Sequence, residues 1–254
     1  MLRPRLIPVL LLQNSGLVKS EKFKFHRYLG DPINAVKIFN DLKADELVFL
    51  DINASRENRC IPIEFVKKVG EEANMPFAVG GGINKISQIR DLVKAGAEKV
   101  IINNFAFKRP EFIKMAAETF GSSTIVVCLD VKKKFLGKIQ TWVFNGKEPT
   151  GFDPVEFSQM MEEYGAGEII IQSIENDGLM SGYDIDLLKR ISEKLSIPII
   201  ALGGAGSLND MCRVYKEANI FGLAAGSMFV YHGERKGILI NYPTKDEYKE
   251  IFFK

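Results

Sequence analysis

Eight short apolar runs punctuate the chain, near residues 5–12, 46–52, 76–80, 98–103, 124–131, 168–174, 198–203 and 221–226. Each is nearly continuous rather than alternating, as in parallel strands buried on both faces. The longer stretches between them carry helical patterns. Gly30-Asp31-Pro32 opens one helix with a capping residue ahead of proline, and Asp153-Pro154 opens another that runs through Phe157 and Met161. Tyr183-Asp184, after Gly182, marks a further loop-to-helix transition. Eight strand–helix units predict the α/β class and a closed (β/α)8 TIM barrel, with a doubly wound open sheet as the competing arrangement.

The pattern also repeats. Shifted by about 122 residues, Pro76-Phe77-Ala78-Val79-Gly80-Gly81-Gly82 falls on Pro198-Ile199-Ile200-Ala201-Leu202-Gly203-Gly204. Glu46 falls on Glu168, and Asn103 on Ala225. Two half-barrel repeats explain this, and with no linker or low-complexity segment, residues 1–254 are read as one barrel domain.

Composition narrows the function. Apolar residues make up 46% and charged residues 26%, and the net charge of +2 is too small to point to a nucleic-acid or membrane partner. Cys60, Cys128 and Cys212 are scattered, which fits reduced thiols in a cytoplasm. The apolar opening, through Leu10-Leu11-Leu12, reads as a buried first strand rather than a signal segment, and no run reaches transmembrane length. With only His26 and His232, no metal site is expected, and nothing calls for a cofactor.

Gly80-Gly81-Gly82 follows a strand and precedes a helix, where backbone N–H groups can cradle a phosphate; a tight turn without ligand is the other reading. The second copy, Gly203-Gly204-Ala205-Gly206, favours the cradle. Each half adds a strand-end partner, Asn103-Asn104 in one and Ala225-Gly226-Ser227 in the other. Strand ends share the catalytic face of a barrel, so the two sets suggest a substrate with a phosphate at each end. Asp51, Asp130 and Asp177 lie at or beyond strand ends and could act as acid or base, or merely cap and pair. Asp130 is the strongest of them, because it is placed at the end of the run Ile125-Val126-Val127-Cys128-Leu129. Arg5, Glu46, Lys99 and Glu168 begin strands one, two, four and six. They are either a polar cap under the barrel or a ring of salt bridges. Trp142 and Phe144 lie in the Lys-rich segment 132–149, which reads as a solvated loop or a lid.

Taken together, these motifs resemble the HisF family, the ammonia-using subunit of imidazole glycerol phosphate synthase. The resemblance rests on Arg5-Leu6-Ile7-Pro8, Phe49-Leu50-Asp51-Ile52, Val79 to Ile83, Ile102-Asn103, Asp177-Gly178, Ser181-Gly182-Tyr183-Asp184 and Gly203-Gly204-Ala205-Gly206. It implies that a glutaminase subunit docks beneath the barrel, with Glu98 at its interface. Ammonia would pass a gate of Arg5, Glu46, Lys99 and Glu168 to a phosphorylated ribonucleotide at the top. It places Gly82, Asn103, Asn104, Gly178, Gly204 and Ser227 at or beside phosphate contacts, and Lys19 at an active-site lysine.

The departures carry equal weight. Where the family has an aspartate on the first strand, this chain has Leu11; Leu179 follows Asp177-Gly178 in place of threonine, and Gln172 also replaces a threonine. The tail from Tyr231 to Pro243 looks like HisF-like proteins associated with sugar amidation in surface polysaccharide synthesis. This adds a separate sugar-amidating enzyme to the expected partners. The three functional expectations are ammonia supply for sugar amidation, the histidine-pathway cyclase, and a non-catalytic conduit and scaffold whose phosphate sites only sense a ligand.

Overall fold

The computed structural model describes residues 3–134 and 137–253. Its centre is a closed cylinder of eight parallel strands: β1 (Arg5–Gln13), β2 (Leu47–Asp51), β3 (Phe77–Gly80), β4 (Lys99–Ile102), β5 (Ile125–Lys133), β6 (Glu168–Ser173), β7 (Ile199–Leu202) and β8 (Gly222–Ala225). Each pairs with the next, and β8 returns to β1 in the register Arg5↔Gly222 through Pro8↔Ala225. The closed barrel therefore replaces the open-sheet alternative.

Helices wrap the cylinder: α1 (Pro32–Asp41), α2 (Ile63–Glu72), α3 (Ile86–Lys94), α4 (Asn104–Lys108), α5 (Glu111–Phe120), α6 (Pro154–Glu163), α7 (Ile185–Ser192), α8 (Leu208–Ala218), α9 (Ser227–Val230) and α10 (Lys245–Phe252). The expected caps are present. Asp31 accepts from the Asn34 N–H, Asp153 from Val155 and Glu156, and Asp184 from Leu187.

Strand side chains alternate between two cores, as the pleat requires. Leu6, Leu10 and Leu12 of β1 join Phe39, Phe49 and Phe157 between cylinder and helices. Ile7, Val9 and Leu11 point inward with Val48, Ala78, Ile101, Val126, Cys128, Ile170, Ile200, Leu202 and Ala224.

Both halves carry the same additions. β1 and β5 each run on into antiparallel strands, Gly16–Glu21 with Lys24–Gly30 in one half and Ile139–Val143 in the other. β4 and β8 are each followed by a one-turn helix, α4 and α9. Two expectations need correction here. β5 does not end at Asp130 but continues to Lys133, because Asp130 to Lys133 pair with Ile139 to Trp142. The described part of 132–149 is therefore a hairpin rather than a free loop; Phe135 and Leu136 lie outside the described residues.

Candidate functional site

The inward phase of the strands sets both ends of the axis. Counting by two, Arg5 leads to Ile7, Glu46 to Val48 and Leu50, Lys99 to Ile101 and Asn103, and Glu168 to Ile170 and Gln172. Four charged side chains thus meet at the floor. Arg5 bridges Glu46 and Glu168, and Lys99 bridges the same two carboxylates at 3.2 and 2.9 Å. The ring is closed, alternates in sign and is buried at both carboxylates. Burial opposes the Arg5 charge, yet Glu168 and Glu46 outweigh it and hold the guanidinium pKa above its ordinary value. Glu98 is exposed just outside this ring, its N–H bonded to the Phe77 carbonyl at 3.1 Å.

Above the ring the axis is apolar until Asp130, Gln172 and Asn103 open into a cavity of 610 Å³ at the C-terminal ends of the strands. This cavity gathers Asp51, Gly81, Gly82, Asn103, Asn104 and Asp130 from the expected set, and Leu11 forms part of its wall. Gly81 and Gly82 have φ of +135° and +66°, and a Cβ on Gly82 would collide with the Arg59 carbonyl. Only glycine brings the backbone this close. Asn103 donates to the Cys128 carbonyl at 2.9 Å.

Asp130 is 7% exposed and has its carboxyl pushed up to about 7. Burial is the main cause; the Asn103 side chain pulls the value down and the Asp177 carboxylate pushes it up. A carboxyl of this kind can give or take a proton at neutral pH. The neighbouring Cys128 thiol is driven well above its ordinary range, first by burial and then by Asp130, so it is no nucleophile.

The other expected residues lie elsewhere. Lys19 pairs with Asp177 at 2.9 Å, and the Ser20 hydroxyl donates to the second Asp177 oxygen at 2.8 Å. Asp51 is likewise held by Arg59 and by the N–H groups of Asn53 and Ala54. Two of the three candidate carboxylates are thus held by cationic partners, whereas Asp130 forms no ion pair among the described residues. Gly178, Gly203, Gly204, Ala225, Gly226 and Ser227 do not line the cavity; Gly226 packs against Lys19 and Gly178 against Ser20. Gly203 and Gly204, at φ +94° and +117°, still mirror the first cradle, and a Cβ on Gly204 would strike the Gly182 carbonyl. The Ser227 hydroxyl is buried without a hydrogen-bond partner, and a Cβ on Gly226 would crowd the Lys19 stem.

Two hairpins roof the site; the first was not expected, and the second lies in the segment 132–149 read as a loop or a lid. Phe23 and His26 come from one; Phe144, whose N–H bonds Asn104 at 2.9 Å, and Asn145, which donates to the Ile52 carbonyl at 3.0 Å, come from the other. Both had turn signals, Asn14-Ser15-Gly16 and Asn145-Gly146. Arg59 gave no signal, since nothing in the sequence ties it to Asp51. Among the described residues no cluster of His, Cys, Asp or Glu could hold a metal ion, and no helix is long and apolar enough to cross a membrane.

Comparison with known proteins decides the family. The histidine biosynthesis protein family matches residues 5–236. The chain belongs to that family. It is 42% identical over 254 residues, all of both chains, to a protein of Leptospira interrogans described as "Putative imidazole glycerol phosphate synthase subunit HisF". It is 43% identical over 251 residues to "Putative imidazole glycerol phosphate synthase subunit hisF3" of Vibrio vulnificus, covering 98% of this chain and 96% of that one. It is 41% identical over 232 residues to "Imidazole glycerol phosphate synthase subunit HisF" of Alkaliphilus metalliredigens, covering 91% and 92%. The protein is thus HisF-like in sequence and fold.

Proposed function

We propose that this chain takes ammonia from a glutaminase subunit at the barrel floor and passes it along the axis to the top cavity, in the service of sugar amidation. The observation that carries the reading is the continuity of three parts: a closed charged ring, an apolar axis and one titratable carboxyl, Asp130, at the far end. A neutral molecule crosses an apolar passage far more easily than an ion, so the axis suits ammonia rather than ammonium. Glu98, Arg5 and Lys99 offer the floor as the glutaminase face. The two glycine cradles suit a phosphorylated ligand.

Leu11 separates this reading from the cyclase. A side chain with no exchangeable proton stands in the cavity wall, and losing a positioned acid or base costs roughly 10² to 10⁴ in rate. The cyclase remains the second reading, favoured by the retained Asp130 and by the name of the Alkaliphilus relative.

Reconstitution with a glutaminase subunit from the same organism tests the proposal. The two proteins should form a complex, and nitrogen from amide-labelled glutamine should reach the amidated sugar without equilibrating with unlabelled ammonium in solution. Lys99→Glu should weaken that transfer. Unchanged binding and transfer after reversing the charges of Arg5, Glu98 and Lys99 together would overturn the reading.

A further inference from the structure

The hairpin after β1 has two sides. Phe23 and His26 line the cavity, whereas Phe25 is 85% exposed and Tyr28 65% exposed. The backbone makes this arrangement at a cost. Lys22 and Phe23 form a two-residue turn between the paired Glu21 and Lys24 with φ of +51° and +60°, and Phe25 follows at +52°. In that region Cβ of a non-glycine residue crowds the following carbonyl oxygen. An aromatic side chain left in water returns nothing to the fold for that strain. Tyr28 is seated against Gly16, where a Cβ would strike its ring, so the ring is positioned without being covered.

A second hairpin stands beside the first. Tyr231–His232 pairs with Gly237–Ile238, and Ile238 and Leu239 are exposed. Arg27 donates to the Lys236 carbonyl at 3.1 Å and lies 5.5 Å from the Tyr231 ring centre, while Lys236 pairs with Glu21 at 2.6 Å. These contacts join the two hairpins into one surface at the mouth of the cavity. The same two hairpins expose charges of both signs, Lys22, Lys24, Arg27 and Arg235 with Glu21 and Glu234.

We propose that this surface docks the enzyme that consumes the ammonia, a protein presenting an apolar pocket rimmed by carboxylates. The assignment rests on the conduit reading above. Three observations support this occupant. The hairpin that shows Phe25 outward also walls the cavity with Phe23, so a partner held there covers the ammonia exit. Pre-positioned aromatics flanked by arginine are the usual anchors of protein interfaces. The mixed charge matches a protein face better than a uniformly anionic lipid surface.

The test uses the full chain with a glutaminase subunit and a sugar-amidating enzyme from the same organism. Phe25→Ser with Tyr28→Ser should lower glutamine-driven amidation at least tenfold. Ammonium-driven amidation should stay within twofold, and glutaminase binding should be intact by sedimentation. Ile238→Ser with Leu239→Ser, on the other hairpin, should act in the same direction and serves if the first pair fails to fold. Glutamine-driven transfer by the wild type that neither pair alters would sink the docking surface and leave the conduit standing. So would a wild-type homodimer dissolved by the substitutions, or binding to phosphatidylglycerol vesicles that the substitutions abolish. A wild type with no glutamine-driven amidation at all would remove the conduit reading, and this surface with it.

Discussion

The Lys19 ammonium lies 2.9 Å from an Asp177 carboxylate oxygen with both side chains buried, tying the hairpin after β1 to the turn after β6. Removing one partner leaves the other charge buried and unpaired, which costs about 3–5 kcal/mol. Lys19→Met should therefore lower urea-unfolding stability by about that much. Replacing both partners, with Lys19→Met and Asp177→Leu, should cost clearly less than the sum of the single changes.

Asp130 sets a pH dependence of known sign. Its carboxyl titrates near 7 in the folded protein and near its ordinary 3.8 in the unfolded chain. Between those values the folded state keeps a proton that the unfolded chain has released. Stability from this group is therefore complete at low pH, falls as pH rises from about 4 to 7, and then levels. Asp130→Asn should abolish that slope and raise stability at pH 8 by an amount on the order of a few kcal/mol. Thermal melts across pH 4 to 8 measure it; an identical slope in the variant would contradict the assignment.

With saturating ammonium and the bisphosphorylated ribonucleotide that HisF acts on, the wild type should turn over at least about 10²-fold more slowly than an ordinary HisF. Leu11→Asp should restore part of that activity if the wall residue alone is responsible. Gln172 and Leu179 are the next changes to add if it does not. Wild-type turnover within about tenfold of HisF would favour the cyclase reading.

The glycine cradles predict a graded mutant series. Gly82→Ala and Gly204→Ala each combine a positive φ with a collision against backbone, whereas Gly137, at φ +80°, has nothing within 4 Å of its would-be Cβ. Gly137→Ala should cost only about 1–2 kcal/mol. Inorganic phosphate should raise the wild-type melting temperature, and the two cradle variants should cost more and lose that rise.

The barrel was legible because its strands carry unbroken apolar runs, and the floor ring because four charges open strands at matching positions. That Gln172 stands on the same inward face as Glu168 and Ile170 emerged only with the strand bounds and the inner core. The roof was not legible in the same way. Gly16–Glu21 and Lys24–Gly30 alternate too irregularly around a bulge for a strand pattern to emerge, and positive φ at Phe25 is not encoded by residue type. The commitment of Asp51 to Arg59 and of Asp177 to Lys19 needed coordinates. These pairs join residues whose closeness comes from loop paths rather than from strand phase.

The seam between Arg5–Pro8 and Gly222–Ala225 has a bearing on how the protein is made. The strand that leaves the ribosome first must wait for the last one. At about 5–20 residues per second that wait is roughly 10–40 seconds, during which one flank of β1 has no permanent neighbour. Gly16–Val18 can fold back at once onto Leu11–Gln13, which shields the upper end of β1 but leaves Arg5 to Pro8 bare. Chaperone demand should therefore concentrate on that short stretch, and slowed translation late in the message should raise aggregation more than the same delay near its start.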